Sequence, residues 1–488
     1  MLRNRLRNWQ AFYRIVFASC VGFLPIIGSA QEAGQFSFRD RTADLGLELG
    51  NGSACWVDVD QDGWTDLCSA GTVWRNEAGK RFSKLATGVG EVVAADFDND
   101  GYPDLFSWSS MQLFHNEQGK SFSPFKLPQL PKSVSLGACW ADMNGDGFVD
   151  IYLGGYEDWD AGITYPDLLL LNGQGKEFKL AWSDQRFRAR GVTACDFDQD
   201  GDIDIYVSNY RLQPNLLWRN DGGGKLEDVA RELNAVATSP GFDGGHSIGA
   251  CWGDFDNDGL FDLFAGNFAH VDGRGDQPKS RFLRNLGPAA KYAFEDRGPC
   301  GVHYQESYAS PAEGDIDNDG KLDLFFTTVY ETASFGVKNN PTLFHNDGGF
   351  VFSDRTAAAG LGGLPPTYQS AFADFDHDGD IDLVTAGRLF ENQSPARHWL
   401  AVQLAGNGKN NNRSAVGAQV RLRTKGDQVL ARQVEAGTGQ GCQNDLMLHF
   451  GIGDLPGPYS LEVTWPGGSR QLLEQVSVDQ ILKLDGGR

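Results

Sequence analysis

Residues 250–266 read "ACWGDFDNDGLFDLFAG", and nearly the same words stand at 54–71, "ACWVDVDQDGWTDLCSAG", and at 138–155, "ACWADMNGDGFVDIYLGG". In each, an acidic loop of the form D-x-[DN]-x-D-G-x-x-D joins two short apolar runs. The pattern occurs seven times. Loop one is "DVDQDGWTD", with Asp58, Asp60, Asp62 and Asp66, and loop two is "DFDNDGYPD", with Asp96, Asp98, Asp100 and Asp104. Loop three, "DMNGDGFVD", carries Asp142, Asn144, Asp146 and Asp150; loop four, "DFDQDGDID", carries Asp196, Asp198, Asp200 and Asp204. Loop five supplies Asp254, Asp256, Asp258 and Asp262, loop six Asp315, Asp317, Asp319 and Asp323, and loop seven Asp374, Asp376, Asp378 and Asp382. Recurrence at roughly 40–60 residues is the mark of a repeat architecture.

The runs on either side of each loop are short and apolar in the manner of strands, as in "DLFAG" and "DLVTAG". A third run ends in Asn, as in "LLWRND" and "TLFHNDGG", where Asn and Gly signal a tight turn. A fourth comes after it, as in "EFKLAW" and "FVFSDR". Four strands per unit in seven units predict an all-β, seven-bladed propeller. After unit seven the fourth run is missing, but "QFSFRDRT" at 35–42 resembles "FVFSDRT" and precedes unit one. It is expected to complete the seventh blade and close the ring.

Carboxylates at positions one, three, five and nine, around a turn opened by Gly at position six, can converge on one hard cation that takes six to eight oxygens at about 2.3–2.6 Å. Position seven adds a backbone carbonyl, from Trp64, Tyr102, Phe148, Asp202, Leu260, Lys321 or Asp380. Asp, Asn and Gly also form turns without metal. Seven loops with one acid spacing, however, would then hold twenty-seven mutually repelling carboxylates. Up to seven calcium ions, structural in role, are the expected cofactor; magnesium prefers a stricter octahedron and keeps its waters. Loop three, with Asn144 in place of an acid, is expected to be the weakest. At free calcium about 1,000-fold above the dissociation constant, one site adds roughly 4 kcal/mol.

The chain of 488 residues has a formal charge of −23. Residues 396–488 are near balance, with ten Lys/Arg against eight Asp/Glu, so the acidity belongs to the repeats. Such a surface repels nucleic acid and anionic lipid. Arg3, Arg5, Arg7 and Arg14 precede the apolar run "IVFASCVGFLPIIGSA", which is short for a membrane span, contains Pro25 and ends in small residues. It reads as a signal peptide over 1–30, so the protein is expected to be secreted, periplasmic or on the cell surface, without stable membrane insertion. Cys55, Cys139 and Cys251 share one repeat position and read as one small buried site; Cys55 and Cys68 are also placed to pair across a hairpin.

The repeats resemble the FG-GAP/VCBS repeats of integrin-α-type propellers. The tail, with "NNNRSAVGAQVRL", "RQVEAGTGQGCQNDLMLHFGIG" and "LEVTWPGGSRQLL", resembles the ASPIC/UnbV domain that comes after such repeats in the cartilage acidic protein family and in bacterial secreted homologues. The resemblance implies a calcium-binding propeller over 31–395 and a small β-sandwich-like domain over 396–488; it implies no agreed reaction.

Successive hairpin turns of a blade point to opposite faces, so the long insertions at 155–167, 208–215, 266–280 and 327–341 lie opposite the acidic loops. They gather Trp159, Tyr210, His246, His270 and His303, with further tyrosines, on one rim where recognition is expected. The expected function is an extracellular binding or adhesion module for a protein or glycan ligand, rather than an enzyme. The rival is a calcium-dependent polysaccharide lyase or hydrolase, which needs an acid and a base from His246, His270 and His303. "GHSIG" at 245–249 matches a nucleophile elbow, but Ser247 enters a strand at a repeat-consensus position. "RGD" at 274–276 is too short to carry an argument by itself.

Overall fold

The computed structural model describes residues 36–426 and 428–486, so the signal peptide expected over 1–30 lies outside the described residues. The fold is all β, apart from two single 3-10 turns at Pro288–Ala290 and Ser334–Gly336. Each acidic loop joins the first and second strands of a four-stranded antiparallel sheet, and there are seven such sheets in series. The first runs Ala54–Val57, Asp66–Ser69, Thr72–Asn76, Phe82–Thr87, and the fifth Ser247–Gly253, Asp262–Asn267, Arg281–Asn285, Phe294–Gly298. First strands lie side by side in chain order, and that of blade one, Ala54–Val57, meets that of blade seven, Ser370–Ala373. The sheets therefore form a closed ring. Phe38–Asp40 supplies the fourth strand of the last sheet, pairing with Arg388–Asn392 so that Phe38 faces Asn392. The sequence match that placed this strand reflects a common place in the blade: like Val351–Asp354, it forms the outer edge of its sheet and ends on an exposed aspartate.

Residue size varies with position in the ring. First strands converge on the axis and are almost wholly buried, so they are rich in Ala, Gly, Cys and Val, as in "ACWV" and "VVAA". Outer strands alternate, as in Phe82–Thr87, where one face meets the neighbouring blade and the other meets water. Trp56, Trp140 and Trp252 lie fully buried between blades. Trp140 donates its indole N–H to the Val93 carbonyl of blade two at 3.2 Å, and Trp56 to Ala371 of blade seven at 3.4 Å. Cys55, Cys139 and Cys251 are fully buried, as their shared position suggested. Cys55 and Cys68 do stand opposite one another in register, but both are free thiols, so the cross-hairpin bond is not formed.

Beyond the ring, Trp399–Ala405 lies between Leu448–Gly451 and Gln480–Asp485, and a four-stranded sheet runs Val429–Gln433, Gln419–Arg423, Tyr459–Thr464, Arg470–Val476. Leu400, Val402, Val420, Leu430, Phe450, Leu461 and Val463 form one buried cluster of these two sheets. The connection between Val429–Gln433 and Leu448–Gly451 enters the middle of the ring. There Trp140 donates its backbone N–H to Ala436, Gly439 donates to Ala250, and Gln443 donates to Ala54; the three ring residues belong to blades three, five and one. Glycine makes the passage narrow enough: a Cβ on Gly437 would stand 2.4 Å from the Ala138 carbonyl oxygen, and one on Gly441 2.6 Å from the Trp108 ring.

Candidate functional site

The seven acidic loops repeat one hydrogen-bond plan. Position one accepts the Gly N–H of position six at 2.7–3.1 Å. Position five accepts the N–H of position seven, from Trp64, Tyr102, Phe148, Asp202, Leu260, Lys321 and Asp380, at 2.9–3.0 Å. The aspartate at position nine reaches back across the blade to accept the N–H of the third-strand asparagine at 2.6–2.9 Å. Six of these aspartates also accept the position-two N–H, at 2.8–3.2 Å. Position nine is therefore a brace as well as a carboxylate.

Position three is left over. Oδ1 of Asp60, Asp198, Asp256, Asp317 and Asp376 is buried without a hydrogen-bond donor, as are Asp58 Oδ1, Asp374 Oδ1 and Asp204 Oδ2. In loops two and three the position-three oxygen, from Asp98 and Asn144, instead accepts a position-five N–H at 3.1 Å. One oxygen each from Asp58, Asp60 and Asp62 lie within 4.8 Å of one another, and so do those of Asp196, Asp198 and Asp204. Buried carboxylates crowded this closely resist ionisation. Burial, aided by the neighbouring acids, pushes Asp58 up to about 6, Asp96 and Asp196 to about 7, and Asp66 and Asp254 to about 8. Orphaned hard oxygens at one repeated position, set beside position-one and position-nine carboxylates that burial keeps from ionising, are what a hard divalent cation would satisfy, so the residues fit such an ion.

The third strand adds two sets of residues that the acidic spacing alone does not single out. Its terminal asparagine, taken from the sequence as a turn former, also staples the ring. Asn76, Asn116, Asn172, Asn220, Asn285, Asn346 and Asn392 each donate from Nδ2 to the position-two carbonyl of the preceding blade's loop, at 2.7–3.0 Å. The residue just before it faces the acidic loop, and it differs from blade to blade. Arg75 pairs with Asp60 at 2.7 Å, and Arg284 with Asp256 at 2.6 Å and Asp258 at 2.8 Å. His115 approaches Asp98 at 3.1 Å and His345 approaches Asp317 at 3.6 Å. Blade seven has Glu391, which helps raise Asp376, and blade three has the uncharged Leu171. Loop six carries three cationic partners, His345, Arg397 and Lys321, the last bonded to Asp319. The fixed offset of these positions in the repeat was the available signal.

The C-terminal domain covers this face of the ring. Gln419 donates to the Asp196 carbonyl at 2.7 Å, Arg421 to Gly259 at 3.0 Å, and Ala431 N–H to Asp254 Oδ2 at 3.0 Å. Ser414 accepts the Asp96 N–H at 2.8 Å, and Trp399 sits where a side chain on Gly379 would be.

On the other face, two of the insertions form small hairpins, Glu157–Asp158 with Ile163–Thr164 and Val271–Asp272 with Gly275–Asp276. They bring most of the expected rim residues together. Tyr210 packs on Tyr156, His246 and Phe268 with centroids 6.3, 4.6 and 6.5 Å apart, and His246 on His270 at 5.0 Å. Trp159 is 67% exposed with the Arg211 guanidinium 3.8 Å above its ring. His303 packs elsewhere, against Phe344 and Tyr308 at 5.3 and 6.3 Å. Ser247 donates to Asn267 Oδ1 at 2.7 Å rather than to a base, and Arg274 is held by Asp272 at 2.6 Å.

Residues 408–488 match the family model described as ASPIC and UnbV, and residues 58–107, 96–153, 196–265 and 315–385 match that of the FG-GAP-like repeat. Cartilage acidic protein 1 of Mus musculus is 25% identical over 420 residues, covering 77% of this chain and 61% of that protein. Its counterpart in Xenopus tropicalis is 28% identical over 466 residues, covering 89% and 63%. The chain thus spans less than two thirds of the length of these relatives. Among solved structures, the Vibrio cholerae biofilm matrix protein Bap1 aligns with a TM-score of 0.33 at 13% identity, covering 91% of this chain and 71% of that one. An Agrocybe aegerita lectin described as recognising non-reducing terminal N-acetylglucosamine aligns with a TM-score of 0.37 at 16% identity, covering 73% and 88%.

Proposed function

Since the chain is built of FG-GAP-like repeats, ends in an ASPIC and UnbV domain and is homologous to cartilage acidic protein 1, we propose that it is a calcium-loaded extracellular binding module. Its calcium ions sit in the acidic loops and hold the ring and the C-terminal domain together, while the insertion face meets a protein or glycan ligand. The observation that carries the calcium reading is the repeated position-three oxygen, buried and without a donor in five of the seven loops. When bound, calcium supplies a double positive charge that offsets the crowded carboxylates. Around it, the Gly N–H fixes the position-one carboxylate and the position-seven N–H fixes that of position five, so the donors are oriented before an ion arrives. The binding reading rests on the exposed Trp159 and Tyr330 standing beside an ordered aromatic cluster on the uncovered face.

Adhesion of the exporting cells to immobilised protein tests both parts. Cells are expected to adhere in calcium, to release in chelator, and to adhere weakly to a Trp159→Ala, Tyr330→Ala variant whose calcium content is unchanged. Adhesion indifferent to the chelator and to both substitutions would overturn the proposal.

A further inference from the structure

At the centre of the insertion face one arginine stands apart. The arginines around it are each spoken for: Arg188 and Arg211 both pair with Glu157 at 2.8 Å, and Arg274 pairs with Asp272. Arg190, on the first strand of blade four, has no carboxylate partner among the described residues. Its guanidinium lies 5.1 Å from the ring centres of Tyr156 and Tyr210 and 5.5 Å from that of Tyr368, which come from three different blades. Nη2 donates to the Tyr368 hydroxyl at 3.1 Å, and Nε is buried with no acceptor. Tyr368 also marks the floor, because Cys442 of the segment threading the ring donates to its carbonyl at 3.6 Å.

Next to this arginine, against Tyr210, lies a second unsatisfied group. His246 is only 2% exposed, and neither ring nitrogen has a partner. A buried polar side chain normally finds one. Burial with the adjacent His270 and Arg274 keeps its imidazole neutral, so one ring nitrogen offers an N–H donor and the other a lone pair, pointing in different directions. A hydroxyl can accept from the N–H or donate to the lone pair and so suits either nitrogen; a carboxylate matches the arginine. The exposed rings of Trp159 and Tyr330 flank the cluster as flat platforms, suited to the apolar face of a pyranose.

We infer that this mouth of the ring binds a carboxylate-bearing sugar residue of the uronic acid class, Arg190 taking the carboxylate and His246 a ring hydroxyl. The inference rests on reading the insertion face as the ligand face and gives that ligand its chemistry. The net negative charge of the chain does not forbid it. The acidic loops lie on the opposite face, and fields between exposed charges fade beyond about 8 Å at physiological ionic strength. A single acidic residue within a chain fits better than a dense polyanion.

The test is calorimetric titration of the calcium-loaded protein with methyl glucuronide, methyl glucoside and an acetylated aspartyl peptide. Glucuronide is expected to bind about tenfold or more tightly than glucoside, as a charge-assisted contact allows. Arg190→Gln is expected to abolish that preference, and His246→Phe to weaken both sugars alike while leaving the preference intact. Equal binding of the two sugars, preference for the aspartyl peptide, or no binding of glucuronide up to about 10 mM overturns the inference. None of these outcomes touches calcium-dependent cell adhesion, so the two readings fail separately. Should Arg190→Gln melt below the parent in calcium, the sugar preference of the parent and the His246→Phe result still decide the matter.

Discussion

At the scale of single residues, the acidic loops hold more charge than their surroundings can keep ionised. Folded-state carboxyl pKa values near 6 for Asp58, 7 for Asp96 and 8 for Asp254 exceed the unfolded value of about 3.9, burial being the main cause. A raised carboxyl favours the fold fully below the unfolded value, and that contribution is lost as pH climbs through the folded one. Calcium-depleted protein is therefore expected to melt at steadily lower temperature between about pH 4 and pH 8, and saturating calcium to reverse the slope. Melts of depleted and loaded protein across that range check this; depleted protein that gains stability with pH contradicts it. The third-strand residue facing each loop sets a second expectation. Arg284 pairs with two carboxylates of loop five, Asp256 and Asp258, so Arg284→Leu should tighten that loop for calcium by up to about fivefold, read from a calcium isotherm against the parent. An unchanged or weaker isotherm would make the guanidinium an orienting group instead.

At the scale of elements, each blade is locked to the one before it by an asparagine whose side chain makes bonds on both sides. Asn285 donates to Phe197 of blade four and Phe261 of its own blade, and accepts from Gly287, all in a buried setting. Asn285→Ala leaves two carbonyls and an N–H unmet, and is expected to cost about 1–3 kcal/mol in denaturant unfolding; a loss within error would remove the staple from the account. The segment that threads the ring makes a parallel case. Gly439 has φ near +58°, and a Cβ there would stand 2.3 Å from Ser310 Oγ. Gly439→Val is expected to unseat that segment and expose the linker after Val429–Gln433 to limited proteolysis. Much of this scale was legible in the sequence. The loop spacing fixed the number of units, and "QFSFRDRT" revealed how the last sheet is completed, because strand period and turn chemistry are local. The asparagine's partner and the path of "GTGQG" were not legible, since each is decided by a neighbour more than fifty residues away that no local pattern encodes.

At the scale of the whole molecule, the two faces of the ring differ because different parts of the chain cover them. The C-terminal domain lies over the acidic loops and sends a segment through the middle, while the insertions of blades three to six crown the other mouth. Sequence order already separated insertions from acidic loops; which rim residues would meet was harder, because His303 shares a loop with Tyr304 yet turns toward Phe344. The central claim is that cations in the loops hold ring and domain as one body. It is tested most directly by a thermal melt of residues 31–488, from fully calcium-depleted to saturating calcium, with bound metal counted by elemental analysis. The account predicts a melting temperature that climbs steeply with calcium, and bound ions approaching one for each loop with an orphaned position-three oxygen. A melting temperature indifferent to calcium, with no metal retained, would mean that the aspartates only form turns, and the account would be wrong at its centre.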